Sequence, residues 1–374
     1  MRKLIIILLT IPILTGLLAG ANLEREFKLP MGKNISVDIS TGGSVSVFGW
    51  DKEKVSVKVE YRGREIDEKL VQFESTKSGL NITIEADNDY HGSLHFYIQA
   101  PRKSDIEIET MGGDIELENL EGTFSGQTMG GELDLRKLKG KAELTTFGGK
   151  ITLKDSDIDG ELKTMGGKVL FENVVGNIKG TSLGGNVTYK NVSNRVGDYK
   201  ARGDEVYIST MGGEINVDDA PMGANVKTMG GDIHIRRAKE YVQAKTMGGE
   251  IVIDGIDGWV KATTMGGNVS VVMAGNPEKG ERHVELSSMG GDIELTLPKE
   301  LSADFDIELI FTKNSRKNYK IRSDFDLKIE ESDDWEYSRG TPRKYIRGTG
   351  SVKGGKHSVS VSTINGEIRI KKSN

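Results

Sequence analysis

Apolar and polar residues alternate in short runs along most of the chain, and these runs recur after a fixed interval. Ile115 and Leu117 form one such pair, and Ile233 and Ile235 form another. A second alternation lies further along each interval, as at Val242 and Ala244. Apolar residues two positions apart lie on one face of a β-strand. Each interval therefore predicts two short strands separated by turns.

A four-residue signature, Ser or Thr followed by Met, Phe or Leu and then Gly-Gly, marks every interval. It begins at Thr110, Thr128, Thr146, Thr164, Ser182, Thr210, Thr228, Thr246, Thr264 and Ser288. Successive starts are 18 residues apart, except for two intervals of 28 and 24 residues. A period this short and regular is typical of a solenoid, in which each repeat packs only on its neighbours.

We therefore predict an all-β fold, a two-sheet parallel β-solenoid whose 18-residue turns, here called rungs, carry β caps at both ends. Residues 110–297 hold the regular rungs, and residues 22–109 are expected to form the N-terminal cap. Residues 298–374 form the C-terminal cap, with a charged insertion and a final rung around Asn365. Both ends of a solenoid need caps, because each exposes unpaired strand edges.

The Gly-Gly pairs are expected at the corner where the chain passes from one sheet to the other. We predict a positive φ at the first glycine of each pair, since glycine adopts that conformation without Cβ strain. The last copy has Asn365 instead, and asparagine tolerates the left-handed region well. The predicted corner positions are Gly112, Gly130, Gly148, Gly166, Gly184, Gly212, Gly230, Gly248, Gly266, Gly290 and Asn365. The preceding Met, Phe or Leu is expected to pack at the corner, and the Thr or Ser hydroxyl to cap its backbone.

The N-terminus has the pattern of an export signal. A short basic start precedes a long apolar run, and Ala19-Gly20-Ala21 matches a small-residue cleavage site. Residues 1–21 are therefore predicted to be a signal peptide, with an uncleaved membrane anchor as the alternative. The chain is expected to be exported, to the periplasm, the cell surface or the medium.

Composition excludes several kinds of site. The formal charge of −5 becomes −7 without Arg2 and Lys3, which argues against nucleic-acid binding. The chain has no cysteine, so disulfides, thiolate metal sites and cysteine nucleophiles are excluded. No phosphate-binding loop or repeated calcium motif occurs, and the five histidines are dispersed, with only His91 and His95 close in sequence. We expect no cofactor, no catalytic residue, no metal site and no membrane span after the signal segment, while the oligomeric state stays open.

An early "GGSVSVFGWDKEKVSVKVEY" segment, the repeated rungs and the closing "STINGEIRI" rung resemble a known bacterial family. This is the exported β-strand-repeat family labelled "putative adhesin", whose function is uncharacterised. The resemblance covers nearly the whole chain after the signal segment. It implies a β-solenoid at the cell surface or in the periplasm, and it supplies no catalytic residues.

Two classes of function are consistent with these features. The first is a non-enzymatic solenoid that serves as an adhesin, an envelope scaffold or an envelope sensor, with a glycan or a cell-surface protein as its partner. The second is a carbohydrate-active β-helix, a polysaccharide lyase or glycoside hydrolase, using outward carboxylates. The acidic pairs Asp218 with Asp232, and Asp232 with Glu250, would suit that chemistry, although outward positions of a solenoid are commonly charged.

The two long intervals indicate where a ligand could bind. Their extra residues fall in 191–205 and 274–282, and insertions in solenoids often border the binding face. Between them, Tyr241 and Trp259 are predicted in register on successive rungs, a pattern that suits a sugar chain but also fits an ordinary cross-strand contact. The predicted ligand-binding residues are Tyr207, Tyr241, Gln243, Lys245, Trp259 and Lys261.

Overall fold

The computed structural model describes residues 23–39, 41–62, 68–84, 93–193, 206–315, 319–337 and 340–373. The predicted signal peptide, His91 and most of the 191–205 insertion lie outside these residues. The described chain consists of strands joined by turns, with one short 3-10 turn at Glu68–Leu70. The predicted all-β class is confirmed.

The regular rungs are built from parallel strands stacked along one direction. Their bounds are β9 (Ile115–Glu118), β10 (Glu121–Thr128), β11 (Leu133–Arg136), β12 (Lys139–Thr146), β13 (Ile151–Thr164), β14 (Val169–Val175), β15 (Ile178–Ser182), β16 (Val187–Ser193), β17 (Val206–Ser209), β18 (Ile215–Val217), β19 (Ala224–Lys227), β20 (Ile233–Ile235), β21 (Ala238–Lys245), β22 (Ile251–Thr264), β23 (Val269–Met273), β24 (Val284–Ser288) and β25 (Ile293–Pro298). β10 pairs in parallel with β12, and β11 pairs in parallel with β13. Two alternating stacks of strands therefore form the opposing walls of a solenoid.

The second corner of a rung differs from the Gly-Gly corner. In β13 and β22 the strand continues from one wall to the other without interruption. Asp155, within β13, adopts a positive φ of 50° at this turn. Equivalent positive φ values occur in the neighbouring rungs at Asn119, Lys137, Asn173 and Asn191, but not at Asp219, Arg237 or Gly255 of the later rungs. In the first five regular rungs, the left-handed residue therefore lies at the corner opposite the Gly-Gly pair.

The prediction of positive φ at the first glycine of the pairs is wrong for the ten regular rungs. None of the ten predicted glycines, Gly112, Gly130, Gly148, Gly166, Gly184, Gly212, Gly230, Gly248, Gly266 and Gly290, has a positive φ. The prediction holds at Asn365, whose φ is 55°. Glycine is required instead at the second position of each pair. A Cβ on Gly231 would lie 2.0 Å from the carbonyl oxygen of Gly213, because the corners stack backbone against backbone.

The Thr or Ser of the signature ties neighbouring corners together. The buried hydroxyl of Thr246 donates to the carbonyl oxygen of Gly231 in the preceding rung at 2.9 Å. It also accepts a hydrogen bond from the backbone N–H of Gly249 at 3.2 Å. Ser182 makes the same pair of contacts with Gly167 and Gly185. The predicted capping of the corner backbone is thus observed, and each cap also joins two rungs.

The residue after the Thr or Ser faces outward rather than packing into the corner. We call this column the methionine ridge, and its members are between 39% and 56% exposed. The ridge consists of Met111, Met129, Phe147, Met165, Leu183, Met211, Met229, Met247, Met265 and Met289. The ten first glycines listed above run beside it, and we call them the glycine track.

Apolar side chains from both walls fill a single continuous core. The core adjusts locally to large residues. Phe171 and Tyr189 stack at a centroid distance of 4.8 Å, opposite Gly180, where a Cβ would lie 2.9 Å from Val169. The backbone N–H of Gly180 donates to the Tyr189 hydroxyl at 2.6 Å, and burial raises the pKa of Tyr189. A small residue on one wall therefore compensates for large ones on the other.

The N-terminal strands continue the solenoid and then close it. They are β1 (Leu23–Lys28), β2 (Lys33–Ile39), β3 (Gly43–Trp50), β4 (Lys54–Arg62), β5 (Val71–Ser75), β6 (Gly79–Ile84), β7 (Ser93–Pro101) and β8 (Ser104–Thr110). β2 lies between β6 and β8 in parallel register. β1, β4 and β5 join the sheet in antiparallel pairs. Parallel rungs therefore extend before residue 110, with antiparallel strands at the end.

The C-terminal strands repeat this design. They are β26 (Ala303–Thr312), β27 (Ile321–Ser323), β28 (Lys328–Glu331), β29 (Arg343–Val352), β30 (His357–Ile364) and β31 (Ile368–Ser373). The last rung, β30 and β31, stacks directly on β24 and β25, and β26 then stacks on β30. β29 pairs antiparallel with β26 and β28. The final rung thus lies between the regular rungs and an earlier segment of the chain.

Candidate functional site

The candidate site lies on the outer surface of β21 and β22. The strand register pairs Tyr241 with Trp259 on adjacent rungs, as the sequence predicts. Their rings stack at a centroid distance of 5.0 Å and an interplanar angle of 14°. Parallel strands place identical positions of successive rungs about 4.8 Å apart, so flat rings at this position can stack without distorting the backbone.

One face of the Trp259 ring is directed away from Tyr241. The Tyr241 ring lies between Trp259 and Gly223, where a Cβ would approach the tyrosine ring to 2.5 Å. Tyr241 therefore packs between two neighbouring rungs and supports the indole. The next rung begins after the 274–282 insertion, and its His283 carbonyl accepts from the Val260 N–H at 2.9 Å. The free face of Trp259 is thus directed towards the insertion.

A cavity of about 480 Å³ lies between this aromatic pair and the insertion. Its lining residues come from three consecutive segments of the chain. They are Lys239, Glu240, Tyr241, Asp257, Gly258, Trp259, Lys279, Gly280 and Glu281. Such a combination of aromatic surface with a few charged groups is typical of a ligand pocket.

A buried arginine holds the insertion in place. Arg282 is only 1% exposed, and its guanidinium donates to the carbonyl oxygens of Ala274 and Asn276 at 2.8 and 2.9 Å. It also forms an ion pair with Asp257 in the cavity wall. One side chain thus satisfies two loop carbonyls and links the loop to β22. Removing Arg282 would leave these acceptors without their charged donor. The contacts of Arg282 therefore hold the insertion as a fixed wall of the cavity.

Glu240 has a strained backbone within the cavity wall. Its φ is 59°, in the left-handed region, which is unfavourable for a residue with a Cβ. Glycine occupies the equivalent position in several other rungs, at Gly122, Gly140, Gly176 and Gly258. Strained residues of this kind concentrate at ligand sites. The same position holds Ile158 and Met222 in other rungs, so the sequence alone gives no signal at Glu240.

The remaining predicted site residues lie beside the cavity rather than in it. Tyr207, Gln243 and Lys261 occupy the neighbouring outward column, because Asn225 pairs with both Tyr207 and Gln243, and Gln243 pairs with Lys261. The ammonium of Lys179 lies over the Tyr207 ring at 5.6 Å from its centroid, and Lys261 forms an ion pair with Glu285. Tyr207 and Lys261 therefore contact other residues of the sheet surface, outside the lining of the cavity.

Lys245 lies two positions further towards the Gly-Gly corner than Gln243, on the same strand. The structure therefore brings together two of the six predicted ligand-binding residues, Tyr241 and Trp259, in one cavity. The sequence placed the 274–282 insertion at the binding face but did not identify Lys279, Gly280 and Glu281 as lining residues, because the path of an insertion is not set by the 18-residue period.

The acidic pairs considered for catalysis have other partners. Asp218 accepts a hydrogen bond from the guanidinium of Arg236, which lowers the pKa of that carboxyl group. Asp232 accepts the backbone N–H of Glu250 at 2.7 Å. Among the described residues, no three His, Cys, Asp or Glu side chains come together as metal ligands. In the same part of the chain, no helix has the length and apolar character needed to cross a membrane.

The sequence of residues 28–326 matches the Toastrack DUF4097 family. The chain belongs to this family. The match includes the regular rungs, the N-terminal strands from β2 onward and part of the C-terminal strands. The repeat signature and the candidate site therefore both lie inside the family domain. No curated protein matches the sequence.

Several solved structures are similar to the chain at low sequence identity. One from Bacteroides fragilis, described as a "putative adhesin", shares 14% identity, covering 73% of this chain and 96% of its own, with a TM-score of 0.31. Another "putative adhesin", from Parabacteroides distasonis, shares 13% identity over 74% of this chain and 97% of its own, with a TM-score of 0.35. A "putative lipid binding protein" from Parabacteroides distasonis shares 13% identity over 93% and 96%, with a TM-score of 0.24.

Proposed function

We propose that this protein is an exported, non-enzymatic β-solenoid that binds a glycan chain in the cavity beside Trp259, as an adhesin or envelope-binding protein. The observation that carries the proposal is the stacked pair Tyr241 and Trp259 forming one wall of a 480 Å³ cavity. The free face of the indole offers a flat apolar surface to a sugar ring. The opposite wall, at Lys279 and Glu281, supplies polar groups for its hydroxyls.

The charges of the cavity wall favour a neutral glycan over a polyanion. Lys239 and Lys279 contribute two cations, and Glu240 and Glu281 contribute two anions. Asp257 is neutralised by its ion pair with Arg282. A balanced wall gives no strong field to attract a highly charged chain, whereas carboxylates and ammonium groups together can accept from and donate to sugar hydroxyls.

The rigidity of the site also supports binding. The Trp259 ring is backed by Tyr241, and the insertion is held by the buried Arg282. A preformed pocket loses little conformational entropy when a ligand enters it. Export is consistent with the predicted signal segment of residues 1–21, and surface attachment with the names of the related structures.

The test is a panel of neutral and acidic bacterial and host glycans, screened for binding and for cleavage. The Trp259→Ala variant should lose at least about tenfold in affinity for the glycan that binds, since about 1.4 kcal/mol of lost stacking corresponds to tenfold. Trp335→Ala serves as a matched control, because this half-buried tryptophan does not line the cavity. Both variants must retain the wild-type thermal transition.

Binding unchanged in a folded Trp259→Ala variant would contradict the proposed site. Cleavage of a glycan by the wild-type chain would contradict the non-enzymatic assignment and support the carbohydrate-active alternative. Binding only to protein fractions of the cell envelope, with no glycan bound, would replace the glycan by a protein partner.

A further inference from the structure

The methionine ridge and the glycine track form a continuous exposed strip along the Gly-Gly corner. Backbone hydrogen bonds keep it regular: the N–H of Met229 donates to the carbonyl oxygen of Met211 at 3.1 Å, and the N–H of Met247 donates to that of Met229 at 3.2 Å. Ten rungs with nine steps of about 4.8 Å give a strip roughly 43 Å long. Exposed apolar surface of this extent marks an interaction site.

The glycine track has no explanation within a single chain. The φ values of its members are not positive, and a Cβ built on Gly230 or Gly248 would meet no atom closer than 3.5 Å. Alanine would therefore fit at these positions, yet glycine stands at all ten. The column two residues further along, by contrast, varies among Asp, Glu, Lys and Asn. Glycine without a local requirement indicates that another surface approaches the backbone closely.

We propose that the ridge and the track form the interface of a dimer, in which two copies of this chain pack side by side with their rungs parallel. A two-fold axis parallel to the long axes of the two solenoids places the methionine ridge of one copy against the glycine track of the other. Both columns repeat at the rung spacing, so a second copy keeps the ridge and track in register over the whole length. Met side chains adapt their shape to such a groove.

Charges on both sides of the strip match this arrangement at the rungs of Met229 and Met247, whereas Glu109 with Asp114 and Lys163 with Lys168 set like charges opposite each other at two earlier rungs. Lys227 and Lys245 precede the corner, while Asp232 and Glu250 follow it, and all four side chains are exposed. In the described part of the chain, none of the four forms an ion pair. The two-fold axis places the column before the corner opposite the column after it in the partner. In these two rungs, each lysine of one copy therefore faces an acidic residue of the other.

The area is close to that of a specific interface. A strip about 43 Å long and about five residues wide, at roughly 3.3 Å per residue, covers about 700 Å² on each copy. Standard interfaces bury about 800 Å² per partner. Tyr241 and Trp259 lie five residues before the Thr of their corners and stay outside this strip, so the dimer would carry two free glycan sites. Dimerisation can fail without affecting the proposed glycan binding.

The test is the mass of the purified chain in solution, by sedimentation equilibrium and light scattering from nanomolar to 100 µM protein. Wild type should reach twice the chain mass. Gly230→Glu with Gly248→Glu should shift the dimer dissociation constant at least tenfold, with an unchanged thermal transition under dilute conditions. Met229→Leu with Met247→Leu should still dimerise, because the interface needs apolar volume rather than sulfur. Ser270→Glu, on an outward position of another face, is the control.

A charge exchange tests the orientation of the two copies. Lys245→Glu should weaken the dimer, and adding Glu250→Lys should restore it, because the two positions face each other across the interface. A wild-type chain that stays monomeric at 100 µM overturns the proposal, and flotation of that monomer with lipid vesicles would assign the strip to a membrane surface. Loss of the dimer in the leucine variant would point to metal ligation by sulfur and would also overturn it.

Discussion

Gly249 lies so close to Gly231 of the preceding rung that a Cβ built on it would stand 2.0 Å from the Gly231 carbonyl oxygen. A Cβ built on the adjacent Gly248 would have its nearest neighbour, the carbonyl oxygen of Gly230, 3.5 Å away. Two consecutive glycines thus have different physical roles. The second allows the corners to stack, and the first is not required by the fold of a single chain.

Alanine at these two positions should therefore have clearly different effects on stability. Gly249→Ala should lower the free energy of unfolding by about 1–3 kcal/mol, because the stacked backbone must move to admit a methyl group. Gly248→Ala should change it by less than about 0.5 kcal/mol or raise it slightly, since alanine restricts the unfolded chain. Chemical denaturation of both variants in dilute solution is the measurement. Equal effects of the two substitutions would remove the stacking explanation.

The hydroxyl of Thr246 should contribute to stability through the two hydrogen bonds that it makes. Thr246→Val keeps the shape but leaves the Gly231 carbonyl and the Gly249 N–H without this partner. We expect a loss of about 1–3 kcal/mol, the usual effect of leaving buried polar groups unsatisfied. Thr246→Ser is the matched control, because Ser182 and Ser288 fill the same role in this chain. A serine variant as unstable as the valine variant would contradict the capping role.

Replacing Glu240 should raise the free energy of unfolding and weaken glycan binding. Glu240→Gly relieves the left-handed strain at φ 59° and should raise the free energy of unfolding by about 1 kcal/mol. The same change removes a carboxylate from the cavity wall, so glycan affinity should fall. Asparagine tolerates the left-handed backbone but carries no charge, so Glu240→Asn separates the loss of the carboxylate from the relief of backbone strain. A glycine variant that binds as tightly as wild type would show that the strain serves no ligand.

His357 should make the fold sensitive to mild acid. It is 3% exposed, and within the described residues neither ring nitrogen has a hydrogen-bond partner. Burial lowers its pKa from the ordinary value of 6.5, and the neighbouring Lys356, His283 and Arg282 add to the effect, while Glu281 opposes it. Below about pH 6.5, the unfolded chain therefore binds a proton at this histidine more readily than the folded chain does. The free energy of unfolding is highest above this pH and falls as the pH drops below it.

The measurement is the free energy of unfolding from pH 7.5 to 5.5, where carboxylates do not yet titrate strongly. Wild type should lose up to about 1.4 kcal/mol per pH unit below pH 6.5. His357→Leu should flatten this dependence and raise stability, because it replaces an unsatisfied buried ring with an apolar side chain. An unaltered slope in His357→Leu would assign the acid sensitivity elsewhere.

The sequence predicts those features of the fold that repeat. The 18-residue period and the alternation at pairs such as Ile233 and Ile235 are sufficient for parallel strands, because each rung faces the same environment as the next. The torsion angles at the corner were not predictable in this way. In the sequence, nothing distinguishes Gly230 from Gly231. Only the structure shows that Gly231 stacks on the backbone of Gly213, so that glycine is required there by close packing and not by a positive φ.

The site was predictable only where it follows the period. Tyr241 and Trp259 lie one 18-residue period apart, so their contact follows from the strand register. The cavity also needs the 274–282 insertion, whose path depends on the contacts of Arg282 with Asp257 and two loop carbonyls. Such long-range polar contacts have no periodic signature. Glu240 gave no signal in the sequence, because other rungs hold Ile158 and Met222 at its position. Its role follows only from its φ and its place in the cavity wall.

The central claim, that a sugar packs on the free face of Trp259, is tested most directly by the fluorescence of this one indole. A chain carrying Trp50→Phe and Trp335→Phe retains Trp259 alone, since the sequence has three tryptophans. Titration with the glycan identified by the panel should shift or quench this emission saturably, with the same dissociation constant that calorimetry gives. Calorimetric binding without any change in the Trp259 emission would contradict the account.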